Sequence, residues 1–597
     1  MDFLTLIPPG GLMMLGALLL FLVPKRMLGP AALALPVLSF LHLVMLPGDL
    51  SVGMTFFDNE LTPVRIDRLS LIFGYVFHLA GFLSALFALH VQDRTQQVAG
   101  QLYAGAAIAA AFAGDFVTLF VYWELTAVSS VFLVWARRTE ASLRSGLRYL
   151  VVQVGSGVIL LAGMIMLYAE TGNLDFMEIG FLKFDSLEEL TLPVGLIFTA
   201  FGIKAAFPFL HNWLQDGYPN ATATGTVFLS AFTTKLAIYA LARGFAGTDI
   251  LIPIGCLMTA FPIFFAVIEN DLRRVLAYSL NNQLGFMVVG VGVADFITSP
   301  GIAHIALNGA AAHAFAHILY KGLLFMAMGA VMYRVGHTRA SDLGGLYKSM
   351  PYTTVFCIIG AMSISAFPLF SGFTTKGLTL FAVGEAHLAG ASLVLLFASA
   401  GVMEHSGIKI PFFAFFGHDG GHRVKEAPWH MLAAMGIASV ACIFLGVYPT
   451  ALYHLLPFEM VHGEDGFIVK GFEALAYHNY TATHVITQLQ LLMFAVLAFG
   501  VLMRMGIYPA EKRSINLDFD WVYRRAIPRA IAGLRRSSAE VVALFRPGII
   551  QTAEASLAKF VSRFEGSERM YGRTHPTGTS ALWAALLLCA FLLLYYI

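Results

Sequence analysis

The chain has 597 residues, of which 58% are hydrophobic and only 12% charged, against roughly 25% charged in soluble domains. That balance excludes a soluble globular protein, and a formal net charge of +1 says nothing about partners. The composition is that of an all-α polytopic membrane protein.

A span needs about 20 apolar residues. Apolar stretches between polar breaks predict about sixteen transmembrane helices, centred near residues 16, 38, 79, 105, 125, 158, 202, 233, 259, 285, 318, 361, 394, 440, 495 and 588. The first stretch is followed, not preceded, by Lys25 and Arg26 and lacks a small-residue cleavage site, so it reads as a retained span. Residues 49–67 alternate and contain turn formers, which predicts a short outer-face hairpin. Loops carrying Arg137, Arg138, Arg144 and Arg148, then Arg273 and Arg274, then Arg334, Arg339 and Lys348 fall on the side opposite Glu170, Asp175, Glu178 and Glu459. The positive-inside rule then puts both termini outside.

Between about 97 and 410 the chain is most apolar, yet it holds Glu124, Lys204, Lys235, His313, His317, Lys321 and Lys376. A lysine at mid-membrane costs about 2.5–3.5 kcal/mol on insertion scales, so several in one chain imply internal partners, water-filled cavities or an ion path. A single such lysine could snorkel or sit in a static ion pair; seven ionisable residues together strain that explanation. Glu124 and Lys204 lie at similar depth in their helices and are expected to compensate one another. His313, His317 and Lys321 recur every four residues and form one helical stripe. His304 falls on about the opposite face and is expected to be an ordinary packed histidine. The deep basic residues are Lys and His, whereas Arg is confined to loops and helix ends, and arginine cannot release its proton.

The string Ala-Phe-Pro occurs at 206–208 and again at 366–368. A mid-membrane proline frees the carbonyl four residues earlier, and for Pro208 that carbonyl belongs to Lys204. Broken helices in corresponding halves point to an ion path between repeats. Past about 411 a polar loop with Gly417, Asp419, Gly420 and Gly421 precedes two more spans. Residues 511–577 then interleave Arg524, Arg525, Arg529, Arg535, Arg536 and Arg546 with Trp521, Ile527, Ile531, Leu534, Val541 and Leu544. That pattern predicts an amphipathic segment on the inner membrane surface, broken at Pro528 and Pro547-Gly548, and not a nucleic-acid site.

Cys256, Cys357, Cys442 and Cys589 are scattered without cluster spacing. There is no P-loop, no G-x-G-x-x-G after a strand and no H-E-x-x-H. No metal site and no cofactor of the chain's own is expected.

Six strings appear in order: WELTAVSS around Glu124, GIKAAFPFLHNWLQDGYP around Lys204, LSAFTTKLAIYALAR around Lys235, DLRRVLAYSLNNQLGFM at 271–287, HAFAHILYKGLLFMAMG at 313–329 and AFPLFSGFTTKG around Lys376. Together they resemble the antiporter-like subunits shared by respiratory complex I and Mrp-type cation/proton antiporters. The likeness covers about residues 70–410 and is nearest to the D-type subunit of Mrp antiporters, including the loop HSGIKIPFFAFFG at 405–417. Trp213-Leu214-Gln215-Asp216 departs from the usual W-L-P-D. The tail after about 510 is longer than in the D-type and resembles the lateral helix of a distal complex I pump subunit.

The resemblance implies two inverted five-helix repeats containing broken helices, here 97–246 and 247–410, flanked by 1–96 and 411–597. It implies that Glu124 and Lys204 serve a first half-channel, Lys235 is a central relay, His313, His317 and Lys321 form a bridge, and Lys376 is the exit site. Two functions follow from it. One is a proton-translocating subunit of a multisubunit sodium or potassium/proton antiporter in a prokaryotic cell membrane. The other is a proton-pumping subunit of a complex I-like NADH dehydrogenase or membrane-bound hydrogenase. Other membrane subunits, lipid, protons and monovalent cations are the implied partners. A third class, a scaffold for a non-transport enzyme, leaves the titratable residues unexplained.

Overall fold

The computed structural model describes residues 3–514, except 57, 58, 464 and 465, and residues 516–536. Contacts divide the chain into a unit Met1–Asp518 and a unit Phe519–Ile597. Among the described residues, ten helices are long and apolar enough to cross a membrane. Every expected span centre but the last falls on a helix; the last, near 588, lies outside the described residues.

The first unit opens with α1 (Gly11–Leu19) and α2 (Lys25–Met45). The expected hairpin follows as β1 (Ser51–Phe56) antiparallel to β2 (Asn59–Arg65). Next come α3 (Arg68–Phe87), α4 (Arg94–Ala111), α5 (Phe116–Trp135) and α6 (Glu140–Thr171). Aspartates start several of these helices because the first backbone donors of a helix have no internal acceptor. Asp67 accepts from Ser70 N at 2.8 Å, and Asp115 from Thr118 N at 2.7 Å. Asp67 is also gripped by Arg243 and Arg65. Burial opposes its charge, but those two guanidinium groups hold the carboxyl below the usual carboxylate range.

A broken helix comes next, α7 (Leu192–Ala205) and α8 (Asn212–Asn220), then α9 (Gly225–Ala231) and α10 (Thr233–Phe245). The second half runs α11 (Leu251–Ile268), α12 (Leu272–Val293), α13 (Pro300–Val335), a second broken helix α14 (Pro351–Ile364) and α15 (Ser371–Glu385), and α16 (Ala389–Val402). α11 and α12 meet at Gly255 and Gly285, each lying against the other's carbonyl; only a residue without a side chain permits that approach. α13, 36 residues long, is buried along most of its length. At 1.5 Å per residue it is about 54 Å long, well beyond the bilayer core of about 30 Å.

The two breaks share one backbone shape. Ala206 and Phe209 have φ of 63° and 69°, and Ala366 and Leu369 have 56° and 73°. Phe207 N donates to Gly202 O at 2.9 Å, and Phe367 N donates to Met362 O at 3.0 Å. The repeated Ala-Phe-Pro is therefore a repeated structure as well as a repeated string.

Sequence reading places two helices at 340–410; the structure has three pieces there, because Pro368 splits one apolar run into α14 and α15. A second difference concerns 405–417, expected as a loop. It is helical: π turns at Met403–Ile408 and Phe412–Phe416 flank an α turn at Lys409–Pro411. Its apolar residues continue α16 into a single helical run, Ala389–Phe416. Helices Trp429–Val447 and Ala482–Arg504 follow, with a second hairpin, Met460–Gly463 against Gly466–Val469, between them.

In the second unit, residues 520–536 are helical, with a π turn at Val522–Ala526 and an Arg524–Asp520 ion pair of 2.9 Å. Pro528 does not break this helix. The π turn just before it alters the spacing where the carbonyl of Arg524 would otherwise meet the proline ring. The rest of the expected amphipathic segment, 537–577, lies outside the described residues.

Candidate functional site

The seven residues singled out by depth come from both halves of the first unit. Lys204, Lys235, His313, His317 and Lys321 are fully buried, and Lys376 is 2% exposed. Glu124, in the middle of α5, is half-buried, with Oε1 enclosed and without a hydrogen-bond partner. A Cβ on Gly157 of α6 would overlap that carboxylate.

Lys204 sits at the last turn of α7, held there by the break that follows. Its Nζ donates to Trp123 O at 2.5 Å and to Thr126 Oγ1 at 3.2 Å, and lies 4.3 Å from the centre of the Trp123 indole. The expected close pairing with Glu124 is absent: among the described residues no ion pair joins the two. The Trp123 carbonyl and ring take the ammonium instead, leaving Glu124 within electrostatic reach. Two groups so arranged interact without locking each other in one state.

Lys235 reaches back along its own chain to Ser230 O at 2.5 Å, just before the irregular Phe232 that separates α9 from α10. Lys376, on α15, donates to Ile364 O at 2.7 Å and lies 5.2 Å from the Phe286 ring. Main-chain carbonyls at helix interruptions are neutral acceptors. They support an ammonium without fixing it as a carboxylate would.

α13 joins these lysines. His313 Nδ1 is 3.2 Å from Thr375 Oγ1, next to Lys376, and its Nε2 is 3.3 Å from the Tyr320 hydroxyl. That hydroxyl donates to Gln283 Oε1 at 3.2 Å. The His313 and His317 rings are 6.1 Å apart. Among the described residues His317 has no hydrogen-bond partner on either nitrogen, and neither has Lys321 Nζ, which lies 5.9 Å from the centre of the Phe325 ring. His317 is within electrostatic reach of Lys235, Lys321 and Lys376. Burying an unpaired charge costs far more than burying a paired one, so both residues suit a transient proton and not a permanent one. His304 stands apart, its ring packed on Phe458 and Phe472 and its Nδ1 on Pro300 O.

Arginine is buried too, but in a different manner. Arg273 touches the carbonyls of Tyr218, Pro219, Ala221 and Thr222 at 3.1–3.2 Å, a fixed clasp between α12 and the turn before α9. Sequence reasoning passes over His405 and Lys409, which lie in the stretch that reads as a loop, and Glu404 just before it. Their signal is present in the sequence, since they interrupt an apolar run of spanning length. Among the described residues no cluster of three or more His, Cys, Asp or Glu side chains is arranged to hold a metal.

Residues 113–403 match the family described as NADH:quinone oxidoreductase/Mrp antiporter, transmembrane. The chain is similar to the A-type subunit of the Na(+)/H(+) antiporter of Alkalihalophilus pseudofirmus, 27% identical over 81% of this chain and 64% of that protein. It is also similar to the D-type subunit from the same organism, 30% identical over 51% of this chain and 62% of that protein. It spans less than two thirds of either relative. Among solved structures, a chain of the membrane-bound sulfane sulfur reductase, an archaeal respiratory membrane complex, superposes with a TM-score of 0.68 at 22% identity, covering 98% of this chain and all of that one. The A-type and the D-type are both matched, so the likeness does not single out the D-type. The segment 113–403, which matches that family's model, carries all seven of the ionisable residues singled out by depth.

Proposed function

We propose that this chain is a proton-translocating subunit of a multisubunit monovalent cation/proton antiporter in a prokaryotic cell membrane. One observation carries the reading: the buried ionisable groups running from α5 through α13 to α15 are residues that can release a proton, while buried arginine is kept for clasps. Protons move between Glu124 and Lys204, through Lys235 to Lys321, His317 and His313, and on to Lys376. The repeated break at Ala206–Phe209 and Ala366–Leu369 supports two inverted repeats, 97–246 and 247–410. The arginine-bearing loops face the cytoplasm, which leaves both termini outside.

The test is purification of the tagged full-length chain from its native membrane in mild detergent, identification of what copurifies, and reconstitution into vesicles. Proton movement driven by a sodium or potassium gradient, with small hydrophobic subunits as partners, is the expected result. A complex that moves no protons under any gradient would overturn the reading.

A second reading, a pump subunit of a redox-driven complex, is favoured by the superposition of 98% of the chain on a chain of an archaeal respiratory complex. Iron–sulfur subunits among the partners would select it. The same residues would carry the protons.

A further inference from the structure

The π-helical run after α16 holds a second buried titratable group, beginning one residue past the matched domain. Lys409 is fully buried. Its Nζ donates to Val267 O at 2.6 Å and Glu269 O at 2.8 Å, carbonyls at the end of α11, and pairs with Glu511 Oε1 at 2.9 Å. Arg274 pairs with Glu269 at 3.0 Å. Three carboxylates, Glu269, Glu404 and Glu511, thus stand around two cations, and the two ion pairs leave Glu404 over. Its Oε1 accepts from the Tyr508 hydroxyl at 2.7 Å, whereas Oε2 is buried with no hydrogen-bond partner among the described residues. In a low-dielectric interior a carboxylate without a counter-ion takes up a proton. An oxygen with no donor facing it has room for that proton.

The π turn explains the arrangement. In an α-helix, residues five apart diverge by about 140°; i→i+5 bonding, here from Lys409 N to Glu404 O, brings them towards one face, so Glu404 is within electrostatic reach of Lys409. Beside it, His405 Nδ1 is 2.9 Å from Ser406 Oγ, which donates onward to Ser279 Oγ at 2.7 Å. Since the serine's proton is committed to Ser279, Nδ1 is the donor. Nε2 is then a bare acceptor, buried and unpartnered. His405 is within electrostatic reach of Lys321, Lys376 and Lys409. On the other side, Glu269 and Arg274 line a cavity of about 350 Å³, together with Arg137, Asp271, Arg339 and Arg513.

We propose that Glu404 and His405 form a further proton-carrying pair, linking Lys321 to the arginine-lined cavity, with Lys409 as fixed counter-ion to Glu511. This rests on the proton-translocating reading above. A proton entering from the cavity makes Glu404 a neutral carboxyl. Its transfer to His405 Nε2 leaves the carboxylate and an imidazolium, which gives a proton to the Lys321 amine.

The test joins infrared difference spectroscopy with flux in vesicles, both on the assembled complex. Wild type is expected to show a protonated-carboxyl band at neutral pH that is lost in Glu404→Gln and kept in Glu269→Gln and Glu511→Gln. Flux is expected to fall at least tenfold in Glu404→Gln and His405→Gln and to stay within about threefold of wild type in Lys409→Arg. A spectrum unchanged by Glu404→Gln overturns the proposal, as does a lost band with undiminished flux, which would make Glu404 a static carboxyl. Absence of flux in wild type would instead sink the translocating reading; the infrared result on Glu404 stands apart from it.

Discussion

The Lys376 ammonium donates to the carbonyl of Ile364 at 2.7 Å, the acceptor that Pro368, four residues on, deprives of its helical donor. A sequence feature that breaks a helix thereby creates the seat for a buried charge twelve residues away. The same logic places Lys235 on Ser230 O, beside the irregularity at Phe232.

Pro368→Ala returns a backbone donor that competes for the Ile364 carbonyl. Flux in reconstituted vesicles should fall several-fold although no titratable side chain has changed, while thermal stability in detergent holds or rises. Wild-type flux in that variant would mean that the carbonyl is not the seat that matters.

Gly157→Ala places a methyl where Glu124 Oε1 now lies. Displacing the carboxylate from the face of α6 should lower flux about tenfold, with the complex still migrating intact on native gels. Gly155, with open space around it, serves as the control: its alanine variant should be silent.

Lys204→Arg keeps the charge but cannot release it. Because Lys204 rests on Trp123 and Thr126 and not on Glu124, assembly should survive in both Lys204→Arg and Lys204→Ala, and both should lose flux at least tenfold. A tolerated arginine together with a damaging alanine would reveal a structural cation.

Asp518 accepts from His211 at 3.0 Å, from Tyr278 at 3.0 Å and from Asn212, tying residues after the last described span to the start of α8. Burial opposes its charge, but the bonds from His211, Asn212 and Tyr278 outweigh burial and hold the carboxyl at about 2. An unfolded aspartate titrates near about 3.9. The tie therefore contributes fully above pH ~4 and is lost as pH falls through ~2, a contribution on the order of 2 kcal/mol. Asp518→Asn should lower denaturant stability at pH 7 and match wild type near pH 2. A gap of equal size at both pH values would show that the charge is not its source.

Most helix positions were legible in the sequence because bilayer thickness sets a length of apolar chain that composition alone reveals, although ten described helices, not sixteen, are long and apolar enough to span. Depth likewise exposed Lys204, Lys235, His313, His317, Lys321 and Lys376, since insertion cost makes each conspicuous. What those side chains touch was not legible. Lys204 takes the Trp123 carbonyl, inside the unbroken α5, over Glu124, and Lys376 takes the Ile364 carbonyl at a helix break; no residue type announces either acceptor. Glu404, His405 and Lys409 were hidden for a related reason: a π turn changes which residues share a face, so an α-helical period misplaces them, and the glycine and proline among them imitate a loop. Glu511 lies about a hundred residues further along the chain, and only tertiary packing brings it to Lys409. Sequence thus exposed six of the buried ionisable residues, through the cost of burying them; the tertiary structure added the others and decided how each is compensated, because compensation depends on acceptors supplied by distant backbone.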